Sequence, residues 1–261
     1  MKKIIDIYMK QISAFLLMII ISTLALFAQR SEDELWSSAN EKYASGEFGA
    51  ALADYKEIEI MGYASDALFY NIGNCYFKTN NIARSILYYE RALRLNPSGR
   101  DIRYNLALAR EYTLDKIEEV PEFIVTTWIR DINYIFSADI WTYISVVFFI
   151  AAALLLLFFR YGPTPASRKL SFFLSMFLIF FGLMFTLFAW NQRNAYHKED
   201  AAIVMLPVSS VRNSPDGSGS PLFILHEGTK VELIESLGNW KRIELSDGRQ
   251  GWIFGNDIEI I

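Results

Sequence analysis

Phe69-Tyr70-Asn71-Ile72-Gly73-Asn74-Cys75-Tyr76-Phe77-Lys78, then a break at Asn80-Asn81, then Ile86-Leu87-Tyr88-Tyr89-Glu90-Arg91-Ala92-Leu93 and Pro97, is the stretch on which the fold turns. Small Gly73 and Ala92 let two antiparallel helices approach, while the aromatics fill the space between successive helix pairs. One such pair cannot bury its own apolar face, so neighbouring pairs are required.

The positions of Phe69, Ile72, Gly73, Tyr76, Tyr89, Ala92 and Pro97 resemble the large apolar, Leu, Gly, Tyr, aromatic, Ala and Pro scaffold of a tetratricopeptide repeat. Upstream, Ala39, Tyr43, Gly46, Phe48, Ala51 and Tyr55 carry the pattern about 34 residues earlier, the period of this repeat class. Ser45-Gly46-Glu47 breaks the first helix where Asn80-Asn81 breaks the second. Downstream, Tyr104-Asn105-Leu106-Ala107 resembles Tyr70-Asn71-Ile72-Gly73 at the same period. Asp101 to Glu111 is then the first helix of a third unit whose partner is degenerate or missing, as array ends often are. The expectation is an all-α solenoid over 31–116, about two and a half repeats at 32–65, 66–99 and 100–116.

In repeats of this class the first helix of each unit lines the concave face. The resemblance thereby implies a partner-binding surface of Trp36, Asn40, Tyr70, Asn74, Lys78, Tyr104 and Asn105, with Asn71 beside them. Each has a scaffold role as its alternative, since several are common consensus identities. Chaperone-type arrays clamp a terminal carboxylate with Asn and cations on these faces. Asn40 and Asn71 match, but Trp36, Asp101 and Asn105 stand where cations are required. An internal segment or a folded surface is the better ligand.

The chain has 261 residues, long enough for two small domains, and its mean hydropathy of +0.20 is high for 21% charged residues. The apolar excess is concentrated in residues 140–159 and 170–190, each about twenty residues without a charge, the length that spans a bilayer as a helix. Trp141, Tyr143 and Trp190 sit near the ends of these runs, where amphipathic aromatics favour the interface. A buried hairpin in a soluble core is the alternative, and the rest of the chain is too small to cover it.

The loop 160–169 carries Arg160, Arg168 and Lys169 and no acid, whereas Arg130, Asp131 and Asp139 precede the first span. The positive-inside bias puts this loop in the cytoplasm and both flanking domains across the membrane. Lys2, Lys3 and Lys10 precede an apolar stretch, Ile12 to Phe27, which ends at Ala28-Gln29-Arg30. Residues 1–28 are thus a secretory signal peptide or an uncleaved anchor, and either exports the array.

Catalytic chemistry is not visible. His197 and His226 lack Cys or carboxylate neighbours at metal-ligand spacing, and no phosphate loop, nucleophile elbow or carboxylate pair stands out. No enzyme activity, cofactor or metal is expected. The lone Cys75 makes no internal disulfide and takes a position usually held by Ala, as a small buried filler. A net charge of −4 and a pI near 5.4 argue against a nucleic-acid role.

Between array and membrane, in 117–139, Ile124, Trp128, Ile132 and Ile135-Phe136 recur at helical spacing. This is an amphipathic helix on the outer leaflet or a third-unit helix packed on the array. Beyond the linker 191–200, residues 201–261 change period. Five short apolar runs begin at Ala202, Leu222, Lys230, Trp240 and Gly251, and turn residues such as Glu227-Gly228, Gly238-Asn239 and Asp247-Gly248 separate them. A small all-β barrel is expected. Gly228-Thr229-Lys230-Val231, Gly238-Asn239-Trp240 and Gly251-Trp252-Ile253 resemble a bacterial SH3-like domain, which implies either a ligand groove at Trp240 and Trp252 or a structural role for both. Peptidoglycan stays open as a ligand.

An export signal, a short array with Asn105-Leu106-Ala107 and Asp115-Lys116-Ile117, two spans joined by a basic loop and a terminal SH3-like domain together resemble the BatE family, repeat proteins of the Bacteroides aerotolerance operon. The resemblance implies a multi-domain protein of the bacterial inner membrane. It also implies a role in aerotolerance or stress, and action beside membrane proteins with von Willebrand A domains and a MoxR-type ATPase.

Overall fold

The computed structural model describes residues 32–117, 124–196, 200–217 and 219–261; the expected signal segment, His197 and part of the linker lie outside the described residues. Two compact units divide the chain, one reaching to Asn81 and the other running from Ile82 to Ile261.

In the first unit, α1 (32–44), α2 (Phe48–Ile60) and α3 (Asp66–Lys78) are joined by short turns. Gly46 takes a left-handed φ of 86° in the first turn, and Asn80, which occupies the same place in the next repeat, takes 61°. Such backbone suits Gly and Asn. Ser65 caps α3, its side chain accepting from the Leu68 amide at 3.1 Å, and Asp66 and Lys78 lie at the ends that favour their charges. Ala39, Ala51, Tyr55, Ile58, Leu68, Ile72 and Cys75 form the buried interior.

The second unit begins with α4 (Ile82–Leu95) and α5 (Arg100–Glu111), which pack on each other through residues that include Ile86, Ala92, Ile102 and Leu106. Residues 112–117 are not helical, so α5 has no partner helix there. The short α6 (Ile124–Asn133) leads into α7 (Ala138–Tyr161) and α8 (Pro165–Tyr196). These last two run past the charge-free stretches that announced them, leaving a break of only Gly162, Pro163 and Thr164.

Both α7 and α8 are long and apolar enough to cross a membrane, and only 11% and 17% of their most apolar windows are buried. A core helix of a soluble protein would be mostly covered. Small and polar groups are buried on these helices, Ser145, Ala152, Ser171, Ser175 and Ala189 among them, while many large apolar side chains, such as Val147, Leu154, Phe173 and Phe180, face outward. The Ser145 and Thr186 hydroxyls are 2.7 Å apart, and Trp141 stacks on Phe185 with ring centres 5.1 Å apart. Close approach through small residues, with hydroxyl contacts across the pair, is how helices pack in lipid.

The tail forms one antiparallel sheet: β1 (Ala201–Val204), β2 (Ser209–Arg212), β3 (Pro221–Leu225), β4 (Lys230–Leu237), β5 (Trp240–Glu244), β6 (Gln250–Phe254) and β7 (Ile258–Ile260). The order is β3-β2-β6-β5-β4-β1-β7. The sheet is not closed, where a small barrel was expected, because β7 ends the order on β1 and does not return to β3. All five anticipated runs coincide with strands; β2 and β7 are additional. Gly238-Asn239 makes a two-residue hairpin, with Leu237 opposite Trp240. The core is Ala202, Val204, Val211, Leu225, Val231, Ile243, Leu245, Ile253 and Ile258. Gly251 is buried beside this core, where a Cβ would clash with the Val211 side chain and lie 3.0 Å from the Arg212 carbonyl oxygen.

Candidate functional site

In the first unit, three of the groove positions meet at one tyrosine. Tyr55 is 1% exposed, and its Oη donates to Asn40 Oδ1 at 2.6 Å and accepts from Asn71 Nδ2 at 3.3 Å. Trp36 meets the same ring edge-on at 5.5 Å. Trp36, Asn40 and Asn71 therefore tie three consecutive helices together through Tyr55, which burial pushes up to about 12 in pKa with a further push from Cys75. Asp54 strengthens this frame by accepting from Ser38 at 2.7 Å and Lys42 at 2.6 Å. Lys78 is exposed, its Nζ 6.0 Å from the Phe48 ring centre, and Tyr70 and Asn74 lie half-buried on α3. Cys75 is fully buried, and burial pushes its thiol up to about 12, which keeps it protonated and inert.

Tyr104 and Asn105 belong to α5 in the second unit; Tyr104 is 71% exposed and Asn105 half-buried. On the sheet, Trp240 pairs with Phe254 across β5 and β6, and Arg242 pairs with Trp252. Alternation puts both tryptophans on the face away from buried Ile243 and Ile253, and neither is a core residue. Trp240 meets Phe254 edge-on at 5.6 Å, and Trp252 lies between Arg242 on one neighbour and Arg212 on the other.

The most developed polar constellation is one the sequence did not advertise. Glu90, on α4, is 5% exposed; it accepts from Arg110 of α5 at 2.6 Å and from Lys230 of β4 at 2.8 Å. Burial raises its pKa, but the two cations outweigh burial and hold the carboxyl below its ordinary value. The next residue, Arg91, donates to the Ile260 carbonyl at 2.8 Å and reaches Glu259, and one turn beyond Glu90, Arg94 donates to the Ile261 carbonyl at 2.8 Å. Helix α4 thus covers the edge strand β7, whose carbonyl groups would otherwise invite another strand.

Just after α5, Asp115 accepts from the His226 amide at 2.7 Å, the Thr229 hydroxyl at 2.7 Å and His226 Nδ1 at 2.8 Å. Burial again works against the charge, and these donors hold the carboxyl low. Ile117 packs onto the sheet core beside this contact. Gly228 permits the approach: a Cβ there would sit 2.8 Å from Thr113 and 3.2 Å from Ile86, and its φ is 86°. Together these contacts seat the sheet on the last repeat helices, using none of the groove positions. The one hint in the sequence was Glu90 itself, a charge inside the apolar run 86–93.

A cleft of about 570 Å3 remains beside this seat, lined by residues that include Glu90, Arg94, Arg103, Arg130, Asp131 and Tyr134. Its charges are mixed and no sign dominates. Among the described residues no group of three or more His, Cys, Asp or Glu is placed to hold a metal.

With the helices in place, comparison with known families becomes informative. Residues 67–98 match the tetratricopeptide repeat family. The match takes in α3 and α4 with the turn between them. Repeats of this family mediate protein–protein interaction, so the chain has a repeat of the interaction type together with two candidate membrane helices and an antiparallel sheet. A search of curated proteins finds no match.

Proposed function

We propose that this protein is a non-enzymatic, membrane-anchored scaffold whose repeats dock partner proteins in the periplasm. The observation that carries the reading is the repeat match at 67–98 in a chain whose α7 and α8 are long, apolar and largely uncovered. The seat of the sheet on α4 and α5 supports it further. Segments before and after the hairpin touch, so both lie on one side of any bilayer that the hairpin enters and leaves. Arg160, Arg168 and Lys169 at the turn support a cytoplasmic turn through the positive-inside bias. In this reading the protein is a BatE-type component of the inner membrane, and its partners are the von Willebrand A-domain proteins and MoxR-type ATPase system of an aerotolerance complex.

Lys78 and Tyr104 are the groove positions best suited to a test, because Trp36, Asn40 and Asn71 hold the repeats together. Lys78→Glu with Tyr104→Ala should abolish copurification of partners from native membranes while leaving the protein folded and membrane-bound. Recovery of an unchanged partner set would sink the groove assignment. A second reading, in which an SH3-like tail senses or binds the cell wall, draws on Trp240 and Trp252 sharing the non-core face of the sheet. It requires the solubilised protein to sediment with purified peptidoglycan and Trp252→Ala to remove that sedimentation.

A further inference from the structure

Helix α6 presents two different faces, and only one is accounted for by protein. Arg130, Asp131 and Tyr134 line the cleft beside the seated sheet, with the Arg103 guanidinium 5.9 Å from the Tyr134 ring centre. The other arc carries Ile124, Trp128, Ile129 and Ile132, continued in the next turn by Ile135 and Phe136, all between 41% and 68% exposed. Positions 124, 128, 132 and 135 fall on one side of a helix. Among the described residues nothing covers them.

The position of that bare arc is fixed by buried polar groups. The Asn133 carbonyl oxygen accepts from Trp141 Nε1 at 2.8 Å and from Gln192 Nε2 at 2.5 Å, and Gln192 also donates to the Phe136 carbonyl at 3.0 Å. Trp141, Gln192 and Asn133 are each at most 5% exposed. The last turn of α6 is therefore bolted to the beginning of α7 and the end of α8. At that same end of the hairpin Tyr143 and Trp190 are exposed, and the Arg193–Asp139 pair at 2.9 Å marks where charge resumes. Aromatic residues at such a level favour the headgroup zone.

We propose that α6 is an interfacial helix that lies in the surface of the bilayer entered by α7 and α8, with Ile124, Trp128 and Ile132 immersed and the Arg130–Tyr134 side turned to the protein. The proposal rests on the reading of α7 and α8 as membrane spans. The occupant is lipid and not a second protein, because the bare arc continues directly into the apolar belt of the hairpin, and an amphipathic helix binds an interface through such an arc. The consequence is positional: α6 places the seated sheet and the last repeat against the membrane surface.

The test uses the full chain with Cys75→Ala, reconstituted in phosphatidylcholine–phosphatidylglycerol vesicles. Single cysteines at Ile124, Trp128, Ile132 and Thr127, and at Val147 and Phe177 in the hairpin, are spin-labelled and probed with oxygen and an aqueous nickel chelate. Labels at 124, 128 and 132 should collide with oxygen and lose collisions with the chelate, whereas 127 shows the reverse. If 147 and 177 are lipid-exposed but 124, 128 and 132 remain open to the chelate, the interfacial helix is wrong and the anchor stands. If 147 and 177 themselves are open to the chelate, both readings fall. Shielding of 124, 128 and 132 from both agents would mean that protein covers the arc, which also overturns the proposal. A second measurement avoids labels: lipid brominated near the headgroup should quench the wild type more strongly than Trp128→Phe, a change at an exposed side chain that leaves the fold intact. Equal quenching would overturn the proposal.

Discussion

Glu90 shows what one buried charge does in this molecule. Glu90→Ala removes two charge-assisted hydrogen bonds but leaves cations that water still reaches, so it should destabilise the second unit by about 1–3 kcal/mol in denaturant titration. The carboxyl is held below its ordinary value of 4.5 in the folded state, so its contribution is present above that value and lost as pH falls through the folded pKa. Hydrogen exchange in β4 and β7 should therefore rise on acidification below the ordinary carboxyl value of 4.5. Glu90→Gln should show a smaller acid step, left by Asp115, whose shift has the same sign. In the first unit Tyr55→Phe removes the hydroxyl that bridges Asn40 and Asn71 and should cost about 1 kcal/mol, measured by unfolding of the repeats. No loss of stability would mean that both asparagines are available to a ligand and that their scaffold role is secondary.

At the scale of elements, two glycines carry contacts that helices and strands cannot otherwise make. Gly228 lets the β3–β4 turn meet α4 and Thr113, so Gly228→Val should lift the sheet from its seat and raise exchange across that contact, with the strands themselves still formed. Gly182 of α8 lies against the Phe149 ring of α7, where a Cβ would be 3.1 Å away. Gly182→Val should push the two helices apart and cost about 1–3 kcal/mol of thermal stability in lipid. The elements differ in how openly the sequence announced them. The helix pairs were legible because Gly46 and Asn80 break them at one period, and the two long apolar helices because charge disappears for about twenty residues. Strands β2 and β7 were not, because Ser209-Ser210-Val211-Arg212 has a single apolar residue and Ile258-Glu259-Ile260 is too short to show alternation. β2 pairs with the next strand β3 and through Arg212 with β6, while β7 pairs with the distant β1.

For the whole molecule the decisive quantity is sidedness. Cysteines introduced at Ser37, on α1, and at Ser236, on β4, should react with an impermeant maleimide in intact spheroplasts, while one at Ala166 should react only after lysis. Reaction at Ala166 alongside the other two would mean that the hairpin does not cross. Reaction at Ala166 alone would invert the orientation drawn from Arg160, Arg168 and Lys169. Native Cys75 stays silent in this assay because it is fully buried. The seating of the sheet on α4 and α5 requires the segments before and after the hairpin to share one side, since two segments in contact cannot sit across a bilayer from each other.

Local periodicity determined the repeats, the two apolar helices and the strand-rich tail, because each depends on spacing within a few turns or a single strand. Composition and the charges near the hairpin turn likewise set the expectation of an anchor and its direction. Only the tertiary structure decided that Asn40 and Asn71 serve Tyr55, that Trp240 and Trp252 share a non-core face, and that the sheet stays open. It alone seated that sheet on α4 through Glu90 and on the segment after α5 through Asp115. Those contacts join residues more than a hundred positions apart, and a buried charge reveals its purpose only when its partners arrive from elsewhere in the chain.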